Sequence, residues 1–215
     1  MSISFLQFLL GVIFLTVVFL HLTKKNLLAT IAYGIQSFAI MLILLNSFLE
    51  TKNFYLLIIV LLVLIIKVIL APLFFVNFIK KHSLSFSVST YFNTPLTLII
   101  IAILTFIAYS QKFTPLTNII PANQPLLSIA LSFIFLSLFL IINCKGALSQ
   151  ILGILSLENS IVAFIVFAGL EQSPSLQIGV IFNIFIWIII ATTFMSMLYK
   201  HFESQDVTSM KNLKD

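Results

Sequence analysis

The chain has 215 residues, of which 61% are hydrophobic and only 8% charged, with a formal net charge of +5 and a mean hydropathy of +1.22. This composition excludes a soluble domain, because the polar residues are too few to cover a core of this size. The sequence predicts an all-α integral membrane protein, and helices of about 20 residues each leave no room for a second domain.

Hydropathy predicts seven transmembrane helices in one polytopic domain, residues 1–215. The predicted spans lie near 4–22, 27–48, 54–79, 94–109, 125–142, 148–170 and 177–199. The fourth is the shortest and also fits a tilted or re-entrant segment. The first has no basic n-region and no small-residue cleavage site, so we expect it to be retained rather than removed as a secretory signal.

The basic residues are all lysines, and they predict the orientation of the chain. With seven spans, eight connecting or terminal lysines fall on one side and two on the other. The eight are Lys24, Lys25, Lys80, Lys81, Lys145, Lys200, Lys211 and Lys214; the two are Lys52 and Lys112. Because lysines stay cytoplasmic, the N-terminus is predicted outside the cell membrane and the tail 200–215 inside. The lysines are scattered, which argues against a nucleic-acid partner.

A shift of the chain by 119 residues indicates an internal repeat. It places Gly34 on Gly153 and Ser37 on Ser156, and it superposes spans one to three on spans five to seven in the same orientation. A parallel three-helix repeat has this arrangement. The alternative is that short loops between hydrophobic helices resemble one another by composition.

Cysteine and histidine usage predicts that this chain carries no cofactor. Cys144 is the only cysteine, and His21, His82 and His201 all lie at the ends of apolar runs. An iron–sulfur or nickel–iron centre needs several thiolates, and a haem inside the membrane needs histidine in mid-span. We therefore expect no metal ligands and no catalytic residue here.

Lys67 is the residue whose placement in the membrane costs the most free energy, because it falls at the middle of the third span. A lysine at the centre of a membrane helix costs about 2.5–3.5 kcal/mol. Pro72 follows five residues later and deprives the carbonyl of Val68 of its helical partner, so a kink is expected there. The sequence predicts either a stop on a proton path or a structural pair with an acid.

Glu158 is the only acidic residue deep in a predicted span, and Asn159 stands beside it. A carboxyl held in a membrane near an ammonium group can take up and release protons. Gln150 lies about two turns earlier on roughly the same face, which predicts a water-lined surface. The alternative is a neutral Glu158 bonded between helices. Similar depth and opposite charge predict that Lys67 and Glu158 are close or joined by water.

Buried amides supply the remaining candidate positions. Gln36 and Asn183 are singled out, and Asn46 and Asn77 are of the same kind. Amides donate and accept hydrogen bonds but do not titrate near neutral pH, so most serve helix packing.

With these residues in view, the whole chain resembles the family of hydrogenase-4 component E. The segment Ile66-Lys67-Val68-Ile69-Leu70-Ala71-Pro72-Leu73 is similar to that family's Lys-x-x-x-x-Pro span. The segments 150–153 (Gln-Ile-Leu-Gly) and 157–159 (Leu-Glu-Asn) are similar to its second hallmark, and Gln36-Ser37 and the tail from Asp206 also fit.

The last three spans further resemble the K subunit of respiratory NADH:quinone oxidoreductase and the C subunit of multisubunit cation/proton antiporters. Two positions differ. Leu155 stands where the K subunit has its first acid, and Glu158 lies one turn later; the final helix has the amide Asn183 where that subunit has an acid.

These resemblances imply a non-catalytic membrane-arm subunit that contributes to proton translocation and assembly in an oxidoreductase complex. Glu158 and Lys67 would be stations on the proton path. The implied partners are antiporter-like membrane subunits, the lipid bilayer and, indirectly, nickel–iron and iron–sulfur subunits. Two alternatives stay open: a subunit of a cation/proton antiporter or ion-uptake assembly without redox chemistry, and a scaffold in which both residues serve only packing.

Overall fold

The chain folds as a bundle of helices. The computed structural model describes residues 3–81, 84, 86, 89–170 and 189. Across these ranges we find α-helices, one π-helical segment, short 3-10 turns and two isolated bridges, so the all-α prediction is confirmed for them. The α-helices are α1 (Ile3–Leu22), α2 (Asn26–Thr51), α3 (Phe54–Val63), α4 (Ala71–Lys81), α5 (Thr94–Ala108), α6 (Thr114–Thr117), α7 (Gln124–Asn143) and α8 (Ala147–Phe167).

Five helical stretches in the described part are long and apolar enough to cross a membrane, as expected of a multi-pass membrane protein. They are Ser4–Leu22, Asn26–Thr51, Phe54–Lys81, Pro121–Asn143 and Ala147–Phe167. Each corresponds to one predicted span, and the last ends three residues before the predicted end at 170. Apart from residue 189, the predicted seventh span, 177–199, lies outside the described residues, as does the whole tail 200–215.

The predicted fourth span is a bent element. Helix α5 has 15 residues, and the helical stretch Gln111–Thr117 continues from it at an angle of 52°. At 1.5 Å per residue, α5 alone is about 22 Å long, less than the thickness of the hydrocarbon core. Together the two pieces form either one broken span, which would bring the candidate spans in the described part to six, or a re-entrant loop.

Local signals in the sequence explain where the helices begin and end. The side-chain oxygen of Asn53 accepts the Tyr55 N–H at the start of α3, and Asn93 accepts the Leu96 N–H at the start of α5. At the end of α2, Lys52 adopts a left-handed conformation with φ of 55° and its N–H bonds to the carbonyl of Phe48. Such tight ends allow neighbouring helices to pack antiparallel.

The packing places α2 at the centre of the described bundle. Helix α2 contacts α1, α8 and the continuous element from α3 to α4, while α7 lies along α8 and also contacts α1 and α5. Fully buried apolar side chains such as Ile13, Ile40 and Phe133 fill the space between them. Polar side chains from α2, α7 and α8 are buried at the same interfaces.

The third span is continuous but not α-helical throughout. Its middle, Leu64–Leu70, is a π-helix that includes Lys67. The Ala71 N–H donates to the carbonyl of Ile66, and Pro72 has no N–H to offer, so the usual α-helical bonding is interrupted where the sequence predicts it. The interruption is a wider turn within one span.

The linker between α4 and α5 is fastened across the lysine-rich end of the bundle. Phe86 forms an isolated antiparallel bridge with Lys25, and Thr90 forms one with Cys144. The side-chain amide of Asn26 donates to the carbonyl of Phe86 at 3.0 Å. The linker therefore joins the α1–α2 turn to the α7–α8 turn.

Candidate functional site

Lys67 and Glu158 meet inside the bundle. The side chains are 1% and 9% exposed, and Lys67 Nζ lies 3.8 Å from Glu158 Oε2. The same Nζ donates a hydrogen bond of 2.9 Å to Asn159 Oδ1. The predicted proximity of the two charged residues is therefore present in the structure, and Asn159, predicted as a supporting residue, is part of the contact.

Asn159 connects this ion pair to helix α2. Its Nδ2 donates to Ser37 Oγ at 3.0 Å, while its Oδ1 accepts from Lys67. One turn away, Gln36 Nε2 donates to Ser156 Oγ at 3.0 Å. An amide on each helix therefore binds a serine on the other, and all four side chains are fully buried.

A ladder of hydroxyls extends the contact to helix α7. Ser137 Oγ lies 3.0 Å from Ser156 Oγ and 3.1 Å from Ser160 Oγ. Ser160 also donates to the carbonyl of Ser156 within α8. These bonds make one polar layer through α2, α8 and α7 in an otherwise apolar interior.

Two further polar atoms lie in this layer. The Oε1 atom of Gln36 is buried and has no protein hydrogen-bond partner in the described part of the chain. The hydroxyl of Tyr33, one turn before Ser37 on α2, is also buried and has no hydrogen-bond partner among the described residues. Buried polar atoms that lack a protein partner are the positions that ordered water occupies.

The chemistry of this site follows from its groups. Lysine and glutamate can each gain or lose a proton, whereas serine and asparagine only orient hydrogen bonds. Removing two charges from water is costly, and in a low-dielectric interior their attraction and the extra hydrogen bonds must offset that cost. A proton moved from Lys67 to Glu158 would leave both groups neutral, so the site can hold a proton on either side of the pair.

Pro72 positions the helix that carries Lys67. A Cβ atom built at Gly34 of α2 would lie 3.4 Å from Pro72 Cγ. This is an ordinary van der Waals distance, so the Pro72 ring lies directly against α2 at this point. Pro72 therefore acts through packing as well as through its missing N–H.

Gln150 does not reach the charged pair. Its Nε2 donates to the carbonyl of Cys144 at 2.8 Å, near the start of α8. Eight residues of helix separate Gln150 from Glu158 by about 12 Å along the axis, and the predicted water-lined face stays a prediction. The remaining predicted amide, Asn183, lies outside the described residues.

The serines of the polar layer were not among the predicted site residues. Ser37, Ser137, Ser156 and Ser160 are all fully buried. The sequence contained one signal for them. Ser156 and Ser160 are one turn apart, so they lie on the same face of an apolar helix. Ser137 carries no such local signal, since its role depends on α7 packing against α8.

Neither metal-binding groups nor the comparisons with known proteins assign a function to this site. Among the residues that the structure describes, no cluster of three or more histidine, cysteine or acidic side chains could hold a metal ion. No protein-family model matches the chain, and neither a curated protein nor a solved structure has a significant match to it.

Proposed function

We propose that this chain is a non-catalytic membrane-arm subunit of a hydrogenase-4-type oxidoreductase similar to respiratory NADH:quinone oxidoreductase. It contributes to proton translocation and to assembly, and Lys67 and Glu158 are two stations on the proton path. The observation that carries the proposal is the 3.8 Å approach of these two ionisable groups inside an apolar bundle.

The free-energy cost of burying the Lys67–Glu158 pair supports a role in proton movement. Ionisable residues in membrane spans are expensive, and they commonly mark ion pathways. Replacing a buried ion pair by apolar residues of similar volume is often neutral or stabilising, so helix packing alone does not require one. The surrounding serines and amides hold the pair without titrating, and a charge moved in a neighbouring subunit would shift the proton between its members.

The parallel repeat belongs to this proposal, and four contacts support it. Lys25 and Cys144 are 119 residues apart, and each bridges the α4–α5 linker. Ser37 and Ser156 are separated by the same distance in the sequence, and each accepts a hydrogen bond from an amide of the other's helix. Spans one to three and five to seven would then be related by an axis along the membrane normal.

The proposed orientation has the N-terminus outside the cell membrane and the C-terminus in the cytoplasm, with seven spans. It rests on the unequal lysine distribution. In a Cys144→Ala chain, an impermeant maleimide applied to intact cells should label Lys52→Cys and leave Lys24→Cys unlabelled. The reverse pattern would place the N-terminus inside.

A subunit of a cation/proton antiporter or ion-uptake assembly is the second candidate. The observation in its favour is the same Lys67–Glu158 pair, since proton exchange between two ionisable side chains is acid–base chemistry and would serve an antiporter equally well. Gentle purification of the tagged chain from its host, followed by mass spectrometry of the proteins that copurify, distinguishes the two candidate functions. Nickel–iron or iron–sulfur subunits are expected, whereas antiporter-like membrane proteins alone would favour transport.

Proton coupling is tested with Glu158→Gln and Lys67→Met in the native host. The matched control is Glu50→Gln, since Glu50 is the other described acid and lies at the end of α2. Proton uptake into inverted vesicles, energised by hydrogen or by a sodium gradient, should fall in the first two variants and stay unchanged in the control. If both variants assemble and keep full coupling, the pair is a scaffold and the proposal is wrong.

A further inference from the structure

A cleft of about 490 Å³ opens at the lysine-rich end of the bundle, away from the charged pair. It lies between the end of α1 and the start of α5, where the linker crosses the helix ends. The side chains that line it are mainly polar or aromatic, and they include His21, Lys24, Tyr91, Asn93 and Thr97. This position is at the membrane–water boundary, where lipid headgroups lie.

His21, which lines this cleft, has one ring nitrogen that its protein hydrogen bond does not use. The residue is only 7% exposed, and its Nε2 lies 3.0 Å from the carbonyl oxygen of Leu136. A carbonyl can only accept, so Nε2 carries the proton and Nδ1 has a free lone pair. Nδ1 is buried and has no hydrogen-bond partner among the described residues. It can accept a hydrogen bond from a hydroxyl group of a ligand.

The ring of His21 is held in place by its neighbours. It stacks on Phe139 with centroids 5.1 Å apart, and Phe139 in turn stacks on Phe92, which lines the cleft. The imidazole of this lining residue therefore has a fixed orientation, and its Nδ1 is a buried acceptor rather than a solvent-exposed one.

The charge of the cleft is positive. Lys24 lines it, Lys25 follows, and Lys145 Nζ lies 4.9 Å from the centre of the Tyr91 ring. None of the described lining residues is acidic. Lysines at a membrane surface attract anionic lipid headgroups, and Lys24 offers a phosphate a charge-assisted hydrogen bond.

The geometry points to a binding site for an anionic phospholipid whose headgroup carries a hydroxyl, of the phosphatidylglycerol class. The phosphodiester binds at Lys24, and a glycerol hydroxyl donates to His21 Nδ1. This site is independent of the proposed function, because it involves neither Lys67 nor Glu158.

Native mass spectrometry of the full-length chain in detergent tests the site. The protein is offered equal amounts of phosphatidylglycerol, phosphatidylmethanol and phosphatidylcholine. Phosphatidylmethanol has the same charge as phosphatidylglycerol but no free hydroxyl, and phosphatidylcholine is zwitterionic. We expect phosphatidylglycerol to be retained about tenfold more than phosphatidylcholine, with phosphatidylmethanol between them. The phosphodiester of phosphatidylcholine can also accept from Lys24, but its quaternary ammonium is repelled by the lysines and it offers no hydroxyl to His21.

Two variants separate charge from hydroxyl recognition. Lys24→Ala changes an exposed side chain and should weaken retention of both anionic lipids, while the control Lys52→Ala, at the opposite end of the bundle, should not. His21→Phe keeps an aromatic ring against Phe139 and should abolish only the preference for phosphatidylglycerol over phosphatidylmethanol.

Three results would overturn the inference. The first is equal retention of all three lipids by the unmodified chain. The second is an equal effect of Lys24→Ala and Lys52→Ala. The third is displacement of the bound lipid by glycerol 3-phosphate in solution, which would make the cleft a site for a soluble phosphate. Lys24→Ala is decisive even if His21→Phe fails to fold.

Discussion

Lys67 and Asn159 are 92 positions apart in the sequence, yet the Nζ of one donates to the Oδ1 of the other at 2.9 Å. This bond joins the π-helical segment of the third span to α8, and Asn159 passes the connection on to Ser37 of α2. Three helices therefore share one amide, and Glu158 lies on the same turn as that amide.

The ion pair should respond to exchange of its charges. Lys67→Glu and Glu158→Lys each place two like charges about 4 Å apart in the interior, and loss of one partner of a buried pair costs about 3–5 kcal/mol. We expect both single variants to assemble poorly and the double variant to recover. The measurement is the amount of folded protein and its thermal midpoint in detergent. A double variant no more stable than either single one would exclude direct pairing.

Asn159→Leu should destabilise the bundle, because it removes bonds to both Lys67 and Ser37. Leaving buried polar groups without partners costs about 1–3 kcal/mol each. The matched control is Asn46→Leu, since Asn46 donates to Glu50 within its own helix. The thermal midpoint should fall further in Asn159→Leu than in the control. Equal midpoints would mean that Asn159 does not fasten α8 to its neighbours.

Ser137→Ala should loosen the contact of α7 with α8. The hydroxyl of Ser137 meets those of Ser156 and Ser160, whereas that of Ser132 bonds to the carbonyl of Ile129 in its own helix. Each lost bond is worth about 1 kcal/mol. Unfolding in denaturing detergent should therefore begin earlier for Ser137→Ala than for Ser132→Ala. The same onset in both variants would contradict the hydroxyl ladder.

Gly153→Ala should be destabilising although alanine favours helices. A Cβ at Gly153 would lie 2.9 Å from Ile141 Cγ1 and 3.3 Å from the backbone nitrogen of Ile141, so α7 would have to move. Overpacking of this kind costs about 1–3 kcal/mol. Gly11→Ala is the control, because nothing lies within 4 Å of its Cβ position. We expect thermal midpoints to fall for Gly153→Ala and to stay or rise for Gly11→Ala.

Cys144 should react slowly with maleimides in the folded protein. The residue lies in the α7–α8 turn, and burial raises the pKa of its thiol to about 11. The thiolate is the reactive form and increases only as the pH approaches that value, so roughly one thiol in a thousand is ionised at pH 8. Intact-mass measurement should find almost no adduct until denaturant is added, and then one per chain. Rapid labelling of the folded chain at pH 7 would mean that this turn is open.

The sequence by itself determined the class of protein and most of the spans. Bilayer thickness sets a minimum length for an apolar run, and helices satisfy the backbone within the run, so hydropathy alone locates α1, α2, α7 and α8. The same local reasoning identified Lys67 and Glu158, because a charge is costly in an apolar span whatever packs around it. It also marked the interruption before Pro72, which follows from the missing N–H.

Only the tertiary structure decided which of these groups meet. Hydropathy does not distinguish a helix face that contacts lipid from one that contacts another helix, so the serine ladder from Ser137 to Ser156 could not be derived from the spans. For the same reason Gln150 shares a face with Glu158 but bonds at another depth. The site depends on the rotation and depth of each helix, which tertiary packing sets, as in the close approach of α7 to α8 at Gly153.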